Sequence, residues 1–221
     1  MRTTTAFGVG VATYFAGLAL GYQVLLRKKC LTWGASADEA ARTMPGDELL
    51  GRPDIVTTRA IEIDAEPARI WPWLVQMGPG RGGAYTYDWV ENLLGLDMHS
   101  ADEILPQFQD LREGDVLALG EQGPKMRAAI VEPPHILVFA STDGNWVWAF
   151  NLCPIERGTR LVSRNRIALP GANVASRLFY RLIMEPGSLI MERKMLLGLK
   201  ERAERARPTV RATQPAAAAQ S

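Results

Sequence analysis

The chain has only two cysteines and two histidines in 221 residues, and no excess of either charge: 25 basic side chains face 24 acidic ones, a formal net charge of +1. Cys30 stands beside an apolar N-terminal run and Cys153 inside a strand-like segment, contexts that argue against a bridge between them, so no disulfide framework is expected. With His99 and His135 the sole imidazoles and no paired cysteine spacing, the soft ligands of a zinc centre are missing, and neither a metal nor a cofactor is expected. Phosphate binding needs a concentrated basic excess, so the charge balance gives no ground for a nucleic-acid partner. There is no GxSxG nucleophile elbow, and no other evident pairing of a nucleophile with a base.

One long uncharged run is present. Residues 6–26, AFGVGVATYFAGLALGYQVLL, carry no charge, and roughly 20 apolar residues suffice for a helix to cross a bilayer core. Glycines at 8, 10, 17 and 21 are unfavourable in a helix in water but common in membrane helices, and Tyr14 and Tyr22 suit the same setting. Gly17 and Gly21 form a GxxxG pair, a spacing through which membrane helices self-associate. A cleaved signal peptide would place its charge before the run and a small-x-small site after it. Here Arg2 stands nearly alone in front, while Arg27, Lys28 and Lys29 follow directly. The expectation is a single-pass transmembrane helix with its basic flank at 1–29 and, by the positive-inside rule, a cytoplasmic domain beyond it.

The remainder, in a chain that is 47% hydrophobic overall, is long enough for one buried core and not comfortably for two. Ser36-Ala-Asp-Glu39 is a capping-box sequence and predicts a short helix over 37–43. Residues 55–63 alternate in a β-favouring composition and predict the first strand. Pro67 opens a helix that Gly78 breaks, and 87–94 has helical spacing closed by Gly95. Strands are predicted at 115–119, 126–131, 136–141, 146–152 and 159–167, close enough in sequence to pair as an antiparallel meander. A long apolar-faced helix over 173–205 must kink or split at Pro186-Gly187. Beyond Ala206 the sequence has little to bury, and 207–221 reads as a disordered tail.

This order of elements, with IEIDAEPARIWPWLVQMG as the opening strand and helix and DLREGDV and AAIVEPPHILVF as later strands, resembles the START/Bet v 1-like (SRPBCC) superfamily, which includes the polyketide cyclase-like proteins. The resemblance covers about residues 33–206 and lies in turns and packing, not in catalytic motifs. It implies an α+β helix-grip domain at 30–206, in which an antiparallel sheet wraps the C-terminal helix around an apolar cavity.

In such a cavity the strand NWVWAFNLC would turn Trp146, Trp148, Phe150 and Leu152 toward the helix, making Trp148 and Phe150 the first candidates for ligand contact. Met184, Met191 and Met195, near the kink, could shape a pocket for an irregular hydrophobe or serve as core filler. Tyr85, Tyr87 and Trp89 follow the glycine-rich loop as a candidate gate. Gly78, Gly80 and Gly83 match GxGxxG, but a helix and not a strand precedes them, so a loop at the pocket mouth is the expected role. His99, near Asp97, Asp102 and Glu103, is where an imidazole and carboxylates could share proton transfer, although the segment reads as a surface loop before a helix near Ser100. Arg160, Arg164 and Arg166 alternate on one strand face, read as solvated outer surface.

Three functions follow. The first is a membrane-tethered, non-catalytic binding module for a lipid or other small hydrophobic ligand. The second is a polyketide cyclase-like enzyme acting on a hydrophobic substrate in the same cavity. The third is a membrane-anchored interaction protein with no ligand, using Arg193, Lys194, Lys200, Arg202 and Arg205 of the last helix against anionic headgroups or a partner.

Overall fold

The computed structural model describes residue 17 and residues 21–93, 95–120 and 123–205. Six strands form one sheet: β1 (Ile55–Ile63), β2 (Val116–Ala118), β3 (Lys125–Glu132), β4 (Ile136–Ser141), β5 (Trp146–Ile155) and β6 (Gly158–Ile167). Their order is β1-β6-β5-β4-β3-β2, every neighbouring pair antiparallel. The meander is therefore as expected, with the first strand returning to lie against the last. The strand boundaries fall close to those predicted.

The described helices are α1 (Arg27–Leu31), which continues a π-helical turn at Tyr22–Leu26, α2 (Ala37–Ala41), α3 (Pro67–Val75), α4 (Asp88–Leu93), α5 (Val174–Phe179) and α6 (Glu185–Arg205). Ser36 caps α2 with the reciprocal Glu39 contact that its sequence predicts. The break at Pro186 takes a specific form: a π-helical turn, Tyr180–Met184, joins α5 to α6 just before the proline. Pro186 has no N–H and its ring crowds the carbonyl one turn back, so the helix widens there instead of ending. No helix begins near Ser100. Its N–H and hydroxyl both donate to the Asp88 carboxylate, at 2.8 and 2.6 Å, and pin an irregular segment against α4.

Strand alternation divides the packing. Phe150 and Leu152 of β5 join Ile63, Leu74, Leu137 and Leu161 in the main core, with Met195, Leu196, Leu199 and Ala203 of α6 as its lid and Trp146 and Trp148 packed alongside. Val147 and Ala149, on the opposite face, make a smaller cluster with Val138 and Ala140. The arrangement is α+β and that of a helix grip, an antiparallel sheet holding a long C-terminal helix.

The opposite face of the sheet corrects the reading of the arginines. Residues 33–50 lie over it, and Met44 is buried with Ala60 and Val162. The Ala60 N–H donates to the Trp33 carbonyl, and a Cβ on Gly34 would come within 2.0 Å of the Ala60 oxygen, so only glycine lets the chain approach β1 this closely. Arg164 is buried beneath this cover and paired with Asp47 at 2.7 Å, Arg166 reaches the same carboxylate, and Arg160 pairs with Glu39. The arginines hold the cover down. They are not a solvated face.

Most of the apolar run at 6–26, and the tail at 207–221, lie outside the described residues. Among the described residues no helix is long and apolar enough to cross a membrane.

Candidate functional site

A pocket opens between the β2 end of the sheet and the loops that follow α3 and α4. It is small, with a cavity volume of about 50 Å³, and is partly open to solvent. Leu117 and Leu119 at β2, Met126 of β3, Phe139 of β4 and Trp148 of β5 form its floor, and Met77, Gly78, Ala84 and Met98 its rim. The floor is a cross-strand row. Leu117 pairs with Met126, and Phe139 with Trp148, so strand register alone puts these side chains on one face. None of the nine lining residues carries a titratable group.

The glycine-rich loop supplies the rim by folding back on itself. Gly78 and Gly83 exchange backbone hydrogen bonds at 2.9 and 3.2 Å, and the Gly80 N–H donates to the Asp97 carbonyl. Its N–H groups are thus spent within the protein and form no phosphate cradle. Arg81 is drawn inward, donating to the Val75 carbonyl at 2.9 Å and lying over the Phe108 ring.

Trp148 connects the pocket to a buried polar network. Its indole N–H donates to Ser163 Oγ at 3.0 Å, and Ser163 in turn donates to Glu192 Oε1 at 2.6 Å. Trp146, stacked on Trp148, donates to Asn165, whose amide donates to Glu192 Oε2. Arg59, wholly buried, completes the network against Glu192, Ser188 and the Cys30 carbonyl. Burial pushes the Glu192 carboxyl above its ordinary range, while the Arg59 charge and the Ser163 hydroxyl pull it back. Both indole N–H groups point away from the pocket, so Trp148 offers it only ring carbon.

Of the eight candidate ligand residues, Trp148 alone lines this pocket. Phe150 is fully buried one pair further along β5, where it touches Trp148 as core. Tyr85 is buried too: its hydroxyl donates to the Trp73 carbonyl at 2.8 Å, and its ring lies under the Arg202 guanidinium. Burial raises its pKa further from neutrality. Tyr87 and Trp89 are exposed, Trp89 at 71%, and neither lines the pocket. Met195 is core, Met191 is half-buried, and Met184 is on the surface. The helix faces a filled core because Leu196, Leu199 and the Arg59–Glu192 pair occupy the space that a larger cavity would need.

His99 is also on the surface, 78% exposed and 3.1 Å from Asp97. The cations of α6 are mostly taken internally: Lys200 donates to the Glu62 carbonyl, Arg202 to the Ala101 carbonyl and Asp102, Arg205 to Glu201, and Arg193 lies over Trp33. Sequence reasoning missed Leu117, Leu119, Met126 and Phe139. Alternation within their short strands could have placed them on the face of Trp148 once register was assumed; Met77, Ala84 and Met98 come from loops with no periodic signal.

No family model matches this sequence, and no curated protein matches it. Among solved structures, a polyketide cyclase-like protein from Corynebacterium glutamicum is similar at 16% identity, covering 67% of this chain and 91% of its own, with a TM-score of 0.37. An AHSA1-like protein from Aeromonas hydrophila is similar at 18% identity, covering 69% and 94%, with a TM-score of 0.41. A protein from Mesorhizobium loti is similar at 15% identity, covering 70% and 100%, with a TM-score of 0.43.

Proposed function

We propose that the protein is a membrane-tethered, non-catalytic binding module for a small hydrophobic ligand, held by a single-pass anchor at 6–26 with its domain in the cytoplasm. The observation that carries the ligand reading is the composition of the pocket: nine apolar or glycine residues, with the one polar group among their side chains, the Trp148 N–H, engaged by Ser163. A wall of this kind gains affinity by removing apolar area from water, about 25 cal/mol per Å² buried, and discriminates by shape more than by hydrogen bonding. At about 50 Å³ it receives one end of a hydrophobe, the rest lying in the open mouth. The tether reading rests on the uncharged run and on the basic triplet Arg27, Lys28 and Lys29 that follows it.

The test is native mass spectrometry of the full chain in micelles, with identification of what dissociates on denaturation. Leu117 is half-buried near the sheet edge, so Leu117→Trp should fill the pocket without dismantling the core. A stoichiometric hydrophobe carried by the wild type and lost from Leu117→Trp supports the reading. A wild type that carries nothing and takes up nothing from a lipid panel, or equal loading of both chains, overturns it.

A further inference from the structure

A run of exposed apolar side chains lies on α5 and the π-helical turn after it. Val174, Leu178, Phe179, Ile183 and Met184 are all exposed, Val174 at 84%, and none of them is counted in the packed clusters. The segment is anchored at two points: Arg177 within α5 pairs with Asp54 at 2.6 Å, and Glu185, just beyond it, is held at the start of α6. It is therefore a positioned element that presents hydrophobic side chains outward, contrary to what an isolated soluble surface requires.

Glu185 also joins this segment to the N-terminal helix. Its carboxylate accepts two hydrogen bonds from Arg27, at 2.8 and 2.7 Å, and one from the Tyr22 hydroxyl, while Cys30 Sγ donates to its backbone carbonyl. Val24, Leu25 and Leu26, in the helix so attached, are exposed as well and are the last residues of the uncharged run. Charge is distributed in the same sense. The first acidic residue of the chain is Asp38, and none occurs from Arg157 to Met184, although the chain holds 24. Lys28, Lys29 and Arg181 are exposed, and no ion pair engages them among the described residues.

We propose that residues 174–184 form a second membrane contact, lying along the surface of a bilayer that contains anionic lipid. Leu178, Phe179 and Ile183 enter the acyl boundary, and Lys28, Lys29 and Arg181 sit at headgroup level. Continuity with the uncharged run argues for lipid as the occupant, because the helix that bears Val24–Leu26 leads directly from it. The acid-free, cationic composition argues for anionic headgroups. The inference rests on the tether reading and adds to it: the domain is docked on the membrane in a fixed orientation, not loosely leashed.

The test uses the full chain with Cys153→Ser, leaving the buried Cys30, and one new cysteine carrying a polarity-sensitive fluorophore at Phe179, Ile183, Glu156 or Tyr14. Each is reconstituted in phosphatidylcholine vesicles with or without phosphatidylglycerol, and quenching by brominated acyl chains is read. Labels at 179 and 183 should be blue-shifted and quenched while the label at Glu156, on the β5–β6 turn, stays aqueous. The quenching at 179 and 183 should fall without phosphatidylglycerol and be lost on Lys28→Glu/Lys29→Glu/Arg181→Glu. If Tyr14→Cys is quenched by lipid while 179 and 183 remain in water, the tether stands and this inference is overturned. If Tyr14→Cys is aqueous as well, the tether reading fails and takes the inference with it. Labels at 179 and 183 that are shielded from water yet untouched by lipid quenchers reveal a protein occupant and also overturn it.

Discussion

The Arg59 guanidinium, wholly buried on β1, is paired with the Glu192 carboxylate on α6, and around this pair the sheet and the C-terminal helix are fixed in register. Ser163 and Asn165 of β6 donate to the same carboxylate, so three strands and a helix converge on one charge pair through the indoles of Trp146 and Trp148.

Burial penalises both ions, and removing one leaves the other unpaired in the core. Arg59→Met is expected to cost about 3–5 kcal/mol, while Arg59→Met/Glu192→Met recovers much of that loss. Urea unfolding of the two variants beside wild type checks it. A double variant no more stable than the single one would show that the pair itself, and not the orphaned charge, supplies the stability.

Tyr85 sits at φ +58°, a left-handed conformation that non-glycine residues seldom adopt, and its hydroxyl satisfies the Trp73 carbonyl in the last turn of α3. Tyr85→Phe should destabilise by about 1–2 kcal/mol through that unsatisfied buried carbonyl. The readout is the denaturation midpoint at unchanged slope.

Gly198 is interior to α6, where alanine ordinarily gains about 1 kcal/mol in helix propensity. Here a Cβ would stand 2.6 Å from the Tyr85 backbone oxygen, so overlap outweighs propensity and Gly198→Ala is expected to lower the melting temperature. A raised melting temperature would mean that the 85–100 loop yields easily.

Hydrogen bonds from Arg160 are the main cause that holds the Glu39 carboxyl at about 2, against a usual 4.5, with the Ser36 N–H helping and partial burial opposing. A carboxyl whose folded pKa is depressed stabilises the fold above its unfolded value, and this contribution is lost as pH falls through the folded one. Stability should therefore decline between about pH 4.5 and 2, and Glu39→Gln should flatten that part of the profile. Thermal melts of both chains across this range measure the difference.

Trp148→Ala removes a wall of the pocket and leaves Ser163 without its indole donor. It should cost about 3–5 kcal/mol and abolish ligand retention, so on its own it cannot separate binding from folding. Leu117→Trp should retain the wild-type midpoint within about 1.5 kcal/mol while losing the ligand, and the pair of variants together distinguishes a pocket from a packing defect.

Much of the fold was legible in the sequence because its signals are local. Alternation over 55–63 and 159–167 marked strands, Ser36 and Glu39 marked a helix start, Pro186 marked an interruption, and turn residues set the meander. The face of β5 that carries Trp148 followed from period two. The site was less legible. Tyr85, Tyr87, Trp89 and three methionines were chosen for chemical type, yet whether an aromatic or thioether lines a cavity, fills a core or meets water depends on what other chain segments bring beside it. Arg164 shows the same limit in reverse, since nothing local to β6 announces that residues 33–50 will cover it and supply Asp47.

By itself the sequence determined the α+β class, the strand order along the chain and an uncharged N-terminal run, since each is set by residue periodicity or by a run of one polarity. Only the tertiary structure decided where the pocket lies, that Glu192 and Arg59 share the interior, and that Glu185 ties the N-terminal helix to the exposed apolar segment at 174–184. The Glu185 and Glu192 contacts join residues more than 100 positions apart, and all three exist because folding brings together side chains whose sequence neighbourhoods carry no trace of one another.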